Sequence, residues 1–264
     1  MSITVTGQRS ELGRLVSQKS ATRRIHVNVA GQEANTLLHD GRAWKDFARK
    51  ALAGVKQARR VEADMLVHAS FAFVLGQAMK DPLRSIVGTI RECEDIALSG
   101  PIPACVVRLG YLYGPQSRDL PAYKKAFRLG RPYWAGSRKA AQFHLYQDDA
   151  ASALIAAAKQ KNAGNILYAT DGTPLSFMDF MDDFARKMGT RFPLHLPLVA
   201  APLMRLIVCK EHMQQAALPM PIKSVMPGVP GWKPVFVNSR AGLEQVVAEW
   251  NVRRPVCSTG LTAA

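Results

Sequence analysis

The segment that most constrains the fold is a run of apolar, mostly β-branched residues followed by a glycine–proline turn. Residues 104–109 read Ala-Cys-Val-Val-Arg-Leu, and after Tyr111 and Tyr113 the chain breaks at Gly114-Pro115. A short apolar run bounded by turn residues is typical of a strand that is buried on both faces. Such strands occur in parallel sheets that are covered by helices. The run therefore predicts an α/β fold with a mostly parallel sheet.

A second motif lies at the N-terminus, where a short strand, Ile3-Thr4-Val5, precedes Gly7, Ser10 and Gly13. These positions have the spacing of the dinucleotide fingerprint GxxGxxG. In that fingerprint the first glycine permits a tight turn, the second lets backbone approach the pyrophosphate, and the third lets the helix pack on the strand. Because Ser10 stands at the middle position, we expect Gly7, Ser10 and Gly13 to bind NAD(P) weakly or not at all.

Several segments resemble the extended short-chain dehydrogenases/reductases, the NAD-dependent epimerase/dehydratase family. Residues 106–115 resemble the strand and Tyr-Gly-Pro turn that lead into the substrate half of those proteins. Residues 143–150 and 230–250 resemble a strand-to-helix turn and the C-terminal segment. The resemblance implies a Rossmann-like core in residues 1–115. Residues 116–264 would supply the remaining core elements and a small C-terminal, substrate-domain-like appendage.

Part of the nucleotide-binding half has no counterpart in this chain. Residues 25–31, Ile-His-Val-Asn-Val-Ala-Gly, could be the second strand of a nucleotide fold, whose end carries an acid for the adenosine ribose. The first acid is Glu33, so these residues resemble the family's central strand more closely. Residues 50–60 then resemble the helix that follows it. We therefore expect the sheet to be truncated at its adenosine-binding edge.

The family's proton-transfer residues are also missing. Its Tyr and Lys lie one helical turn apart, so that the ammonium lowers the pKa of the phenol. The matching positions hold Leu83 and Val87, and no Tyr or Lys occurs in residues 81–100. Phe71 stands at the family's Ser/Thr position. Its neighbour Ser70 is expected to face the other side of the strand and to bond nearby backbone. The resemblance thus implies no catalytic residue of the usual kind.

Five other side chains are of types that can serve in an active or metal site. Tyr111 and Tyr113 could serve an unorthodox active site, although a packing role is favoured for both. His68, His144 and His195 are isolated in apolar segments, which favours core or surface positions over ligand roles.

The four cysteines show neither a zinc-binding nor a disulfide pattern. They predict reduced thiols in an intracellular, reducing compartment and no metal site.

Composition limits the partners. The 264 residues carry a formal net charge of +15, which favours acidic partners. The basic residues are scattered and accompany no nucleic-acid-binding motif, so we expect no nucleic-acid partner. No apolar run reaches the roughly 20 residues that span a bilayer. The most lipophilic stretch, residues 192–209, is interrupted by prolines; it could touch a membrane surface, although a core helix is favoured.

Three functions remain open from the sequence. The first is a non-catalytic structural subunit that binds other protein subunits, similar to the short-chain-dehydrogenase-like accessory subunit of respiratory complex I in the mitochondrial inner membrane. The second is an NAD(P)-dependent epimerase, dehydratase or reductase with an atypical active site. The third is a regulator that binds the dinucleotide without turnover.

Overall fold

The computed structural model describes residues 3–19, 24–34, 44, 46–78, 80–117, 119–131, 133, 136–159, 162–190, 194–196, 210–221 and 226–252. Most of the lipophilic stretch 192–209, together with Cys209 and Cys257, lies outside these residues. Within the described residues, no helix is both long enough and apolar enough to span a membrane.

Strands and helices alternate along most of the chain. The strands are β1 (Ile3–Thr6), β2 (Ile25–Asn28), β3 (Met65–Phe71), β4 (Ala104–Leu109), β5 (Tyr111–Tyr113), β6 (Ala141–Gln142), β7 (His144–Tyr146), β8 (Ile166–Ala169) and β9 (Leu175–Ser176). The helices are α1 (Glu11–Ser17), α2 (Phe47–Arg60), α3 (Leu83–Leu98), α4 (Asp119–Arg128), α5 (Gln147–Lys159), α6 (Phe177–Lys187), α7 (Lys210–Ala216) and α8 (Ser239–Val252).

Five strands form one parallel sheet in the order β1-β2-β3-β4-β8. This confirms the predicted Rossmann-like α/β fold, and β4 has the predicted bounds. Outside the main sheet, β5 pairs with β7 in parallel and β6 pairs with β9 antiparallel. The proposed division of the chain at residue 115 stays a prediction.

Helices cover both faces of the sheet because its strands are apolar on both sides. Val67 and Val107 point into a cluster with Leu12 and Val16 of α1 and with the alanine-rich face of α5. Leu66, the neighbour of Val67, points the opposite way into a cluster with α2 and α3. The period of two along a strand thus produces a core on each face.

The open edge of the sheet is β1, which has a strand neighbour on one side only among the described residues. Only residues 18–24 separate α1 from β2. A crossover through an additional strand and helix needs more than about ten residues. The connection between α1 and β2 is therefore too short to supply a strand beyond β1, which agrees with the expected truncation.

The third strand ends earlier than the sequence suggests. The apolar run predicts a strand through Leu75, but β3 stops at Phe71 and a 3₁₀ turn occupies Ala72–Leu75. The strand and the 3₁₀ turn are both buried here, and an apolar run without alternation does not distinguish one from the other.

A buried polar network ties β3, α3, β4 and β8 together. The Arg108 guanidinium donates to both carboxylate oxygens of Glu94, at 2.9 and 2.6 Å, and to the Tyr168 hydroxyl at 2.6 Å. Ser70 donates to Glu94 at 2.5 Å. Ser70 therefore bonds a carboxylate rather than the expected backbone, because Glu94 stands on the helix that covers this side of the strand.

Asp171, just after β8, is a buried carboxyl group with a strongly shifted pKa. One oxygen accepts the Thr173 N–H at 3.1 Å, and the other has no hydrogen-bond partner among the described residues. Burial raises its pKa from 3.8 to about 7, and nearby Asp149 adds to the rise.

We predict that Asp171→Asn becomes progressively more stable relative to the unchanged protein as pH rises from about 4 to about 7. Because the pKa of Asp171 is higher in the folded than in the unfolded protein, protonation of Asp171 stabilises the fold. This stabilisation is complete below the unfolded-state pKa and is lost as pH rises through the folded-state pKa. Urea unfolding of both proteins should show this difference growing by a few kcal/mol, since one pKa unit equals about 1.4 kcal/mol. Buried histidines contribute equally to both proteins and cancel. A difference that does not change with pH would contradict the assignment.

Candidate functional site

A groove of about 1120 Å³ lies beside the end of β1. Its walls come from β1, from the loop into α1, from α2 and from the segments that follow β2, β5 and β7. The lining residues that matter below are Thr6, Gly7, Arg9, Ser10, Arg14, Arg49, Arg60, Gln116, Ser117 and Gln147. Its volume is slightly above the usual range of about 300–1,000 Å³ for small-molecule sites, which suits an elongated ligand.

The cations of the groove lie on or next to its two helices. Arg9 and Arg14 come from the α1 side, and Arg49, Lys50 and Arg60 come from α2. Two lining carboxylates, Glu11 and Glu33, oppose these five cations. Glu33 pairs with Lys50, and Glu11 lies 3.7 Å from Arg14. Arg49 lies 3.0 Å from Asp46, which is outside the lining. The lining still has five cations against two carboxylates, and this excess favours an anionic ligand.

The fingerprint loop keeps two of its three glycine functions. Gly7 has φ +93°, a conformation that favours glycine, and it lies against the backbone of Val29 and Ala30. A Cβ at Gly13 would lie 2.2 Å from the Gly7 carbonyl oxygen, so this helix packs on the loop only with glycine there. Whether Gly7, Ser10 and Gly13 hold a dinucleotide stays a prediction.

Ser10 is the cap of α1. Its hydroxyl accepts the Gly13 N–H at 3.0 Å and donates to the Gly7 carbonyl at 2.7 Å. The side chain that replaces the middle glycine is thus held by its own loop, while Ser10 still lines the groove.

The positions that the sequence analysis matched to the family's catalytic residues lie in an apolar cluster. Phe71, Leu83 and Val87 are all buried in it, together with Trp44 and Phe47. The Phe71 ring lies 5.3 Å from the Trp44 ring and 5.5 Å from the Phe47 ring, measured between centroids. None of Phe71, Leu83 and Val87 lines the groove. These positions therefore offer no group that can donate or accept a proton.

The two candidate tyrosines lie in a separate aromatic cluster. Tyr111 donates its hydroxyl to Asp119 at 2.6 Å, and Tyr113 is fully buried against Tyr146 and Phe180. Burial, with nearby carboxylates, raises the pKa of both phenols. Neither tyrosine lines the groove, so the favoured packing role fits their positions.

The candidate histidines also lie outside the groove lining. His68 and His144 are buried, and burial lowers their pKa values to about 4 and about 3. His195 bonds Asp182 at 2.7 Å. Burial raises the pKa of Cys93 to about 11 and that of Cys105 to about 12. The described residues contain no group of three or more His, Cys, Asp or Glu that could hold a metal ion.

Other groove residues were not found by the sequence analysis. Arg49 and Arg60 recur at helical spacing on α2, but only the fold shows that this face turns toward α1. Gln147 and Ser117 follow β7 and β5, which pair in parallel, so the ends of these strands meet. The Asp149 carboxylate, in the first turn of α5, accepts the N–H groups of Val235 and Phe236 at 2.9 and 3.0 Å.

Comparison with known proteins identifies one relative by sequence. A 3-diazoavenalumate denitrifying reductase from a Streptomyces species is 29% identical over 244 residues, which cover 83% of this chain and 79% of the relative. No protein-family model matches the chain.

Solved structures show the same fold. Human epimerase family protein SDR39U1 (isoform 2), solved with NADPH, superposes with a TM-score of 0.73 at 16% identity, covering 94% of this chain and 99% of that one. UDP-glucose 4-epimerase from Thermotoga maritima, solved with UDP-glucose, superposes with a TM-score of 0.66 at 13% identity. The match covers 96% of this chain and 99% of that one. The fold is therefore that of NAD(P)-binding epimerase-type proteins.

We predict that Ser10→Ala lowers the free energy of unfolding by about 1 kcal/mol, whereas Ser10→Gly lowers it by only a few tenths. The alanine removes the cap while keeping a Cβ, and glycine leaves the helix end open to water. Urea denaturation of both variants measures the effect. Ser17→Ala, on the same helix, should be close to neutral. Equal stability of Ser10→Ala and the unchanged protein would show that the cap contributes nothing.

Proposed function

We propose that this protein is an NAD(P)H-dependent reductase whose substrate accepts a hydride without protonation by the enzyme. The observation that carries the proposal is the large, cationic groove over the fingerprint loop, combined with apolar residues at Phe71, Leu83 and Val87. The fold, which is that of NADPH-binding proteins, supports the cofactor class.

The groove offers the cofactor suitable walls. Arg49 and Arg60 on α2, with Arg9 and Arg14 on the α1 side, would hold the phosphates of the dinucleotide by charge-assisted hydrogen bonds. Val5, Leu12 and Leu112 supply apolar surface that would exclude water. These walls would replace those of the missing strands.

The same lining limits the chemistry. Reduction of a carbonyl creates an alkoxide, which an enzyme acid usually protonates. Among the described residues that line the groove there is no Tyr, His or Cys. Lys50 is engaged by Glu33. The groove therefore suits a substrate on which hydride addition leaves no anion.

The name of the Streptomyces relative describes a substrate of that kind, a diazo compound from which nitrogen is removed. An arenediazonium ion is a cation. Addition of one hydride gives a neutral diazene, and loss of N₂ leaves the arene, with the added hydrogen on carbon. The sum balances without net uptake of a proton, and bound NAD(P)H would supply the hydride. We therefore propose a diazonium group, or a comparable cationic electrophile, as the substrate class.

The test measures cofactor binding and turnover separately. NADH and NADPH are titrated against the full chain by fluorescence. Consumption of each cofactor is then followed anaerobically with a carboxyphenyl diazonium salt, and the reaction without protein is subtracted. We expect saturable binding and protein-dependent release of N₂, with no reduction of benzaldehyde. Faster reduction of the aldehyde, or no binding of either cofactor, would contradict the proposal.

Charge variants provide the control. Arg49→Gln and Arg60→Gln should each weaken cofactor binding roughly tenfold, since a hydrogen bond to a charged group contributes about 1.5 kcal/mol. The loss of cofactor affinity caused by each substitution should become smaller as salt is added, because salt screens the charges. Arg131→Gln, an exposed position outside the groove, should leave binding unchanged.

A non-catalytic accessory role is the second candidate, and the apolar replacements at the family's catalytic positions favour it. It predicts that the native protein purifies within a larger assembly and turns over no electrophile. Contact with other subunits or a membrane surface, and the intracellular location, stay predictions.

A further inference from the structure

We propose that Ser117 and Gln147 form a subsite that binds the carboxamide of the nicotinamide ring. This inference rests on the proposed function, because it assigns one end of the groove to one end of the cofactor. The two residues come from separate segments that the fold brings to the same wall.

The register of two strands places these segments together. Tyr113 pairs with Tyr146 at the ends of β5 and β7, so Gly114 and Gln147 follow side by side. A Cβ on Gly114 would lie 2.4 Å from Gln147 Oε1, so the glycine makes room for the glutamine side chain. A turn from Gly114 to Ser117, closed by a 3.1 Å backbone hydrogen bond, brings Ser117 back to the groove.

Both side chains carry a polar atom that the protein does not satisfy. Gln147 Oε1 and Ser117 Oγ are buried and have no hydrogen-bond partner among the described residues. The two residues are only 7% and 5% exposed. A buried polar group without a partner is costly, and most native examples have a reason. Both residues also line the groove.

The chemistry of the two atoms selects the ligand group. Gln147 Oε1 only accepts, so it needs a donor, whereas the Ser117 hydroxyl both donates and accepts. A primary carboxamide provides N–H donors and a carbonyl acceptor on one carbon. A carboxylate or phosphate provides no donor for Gln147.

The distribution of charge in the groove agrees with this orientation. The lining side chains from the segments after β5 and β7 are neutral: Gln116, Ser117 and Gln147. The cations lie on the α1 and α2 sides. A dinucleotide has the same asymmetry, with its phosphates separated by a ribose from the neutral carboxamide.

The experiment compares two reduced cofactors on the full chain. One is NADPH, and the other is its 3-acetylpyridine analogue, in which a methyl group replaces the carboxamide nitrogen. Gln147→Met keeps the side-chain length and removes the acceptor. We expect this variant to weaken NADPH binding about tenfold and to change the affinity for the analogue by no more than about twofold. The preference for the carboxamide then disappears. Gln116→Met, a glutamine in the same wall, should keep the preference.

Ser117→Ala supplies a second measurement. This variant should weaken the binding of both cofactors, because each contains the carbonyl group that would accept a hydrogen bond from Ser117. It should not lower the free energy of unfolding, because the Ser117 hydroxyl has no partner to lose within the described residues. This result separates a binding role from a structural one.

The failures are distinguishable. Suppose that the unchanged protein binds NADPH, and that Gln147→Met either weakens the binding of both cofactors equally or weakens the binding of neither. The proposed subsite is then wrong and the proposed function stands. If the unchanged protein binds neither cofactor, the proposed function fails and the subsite fails with it.

Discussion

The short connection between α1 and β2 is the constraint on which the rest of the structure depends. Residues 18–24 are too few to carry another strand and helix, so β1 becomes the edge of the sheet. The helices on its two faces, α1 and α2, then both contribute to one groove. Arginines of α2 therefore line the groove beside this edge. The cost of an open strand edge is offset if a ligand covers it.

A second consequence concerns the reaction that such a groove can support. At the positions predicted to match the family's proton-transfer residues, this chain packs Phe71, Leu83 and Val87 with tryptophan and phenylalanine rings. Packing of this density stabilises the fold but leaves no ionisable group. A hydride acceptor that is already a cation needs none. The loss of acid–base groups and the retention of a cofactor-sized groove are therefore compatible within a single enzyme.

Much of the fold could be predicted from local sequence. Consecutive residues are enough to predict the β4 strand, the strand–turn–helix around Gly7 and the absence of a Tyr–Lys pair from residues 81–100. The groove could not be predicted in the same way. Arg60, Ser117 and Gln147 are far apart in the chain, and only the strand order and register bring them to one groove. Ser70 was assigned a backbone partner because its true partner, Glu94, stands on another element.

The central claim is that the groove between α1 and α2 holds the dinucleotide beside the open edge of β1. A crystal structure of the full chain with NADPH tests it most directly. The account predicts continuous density for the cofactor, with phosphates against Arg49 and Arg60 and the carboxamide at Ser117 and Gln147. A cofactor seated instead against Phe71 and Leu83, or beside a tyrosine moved in from the aromatic cluster, would contradict it.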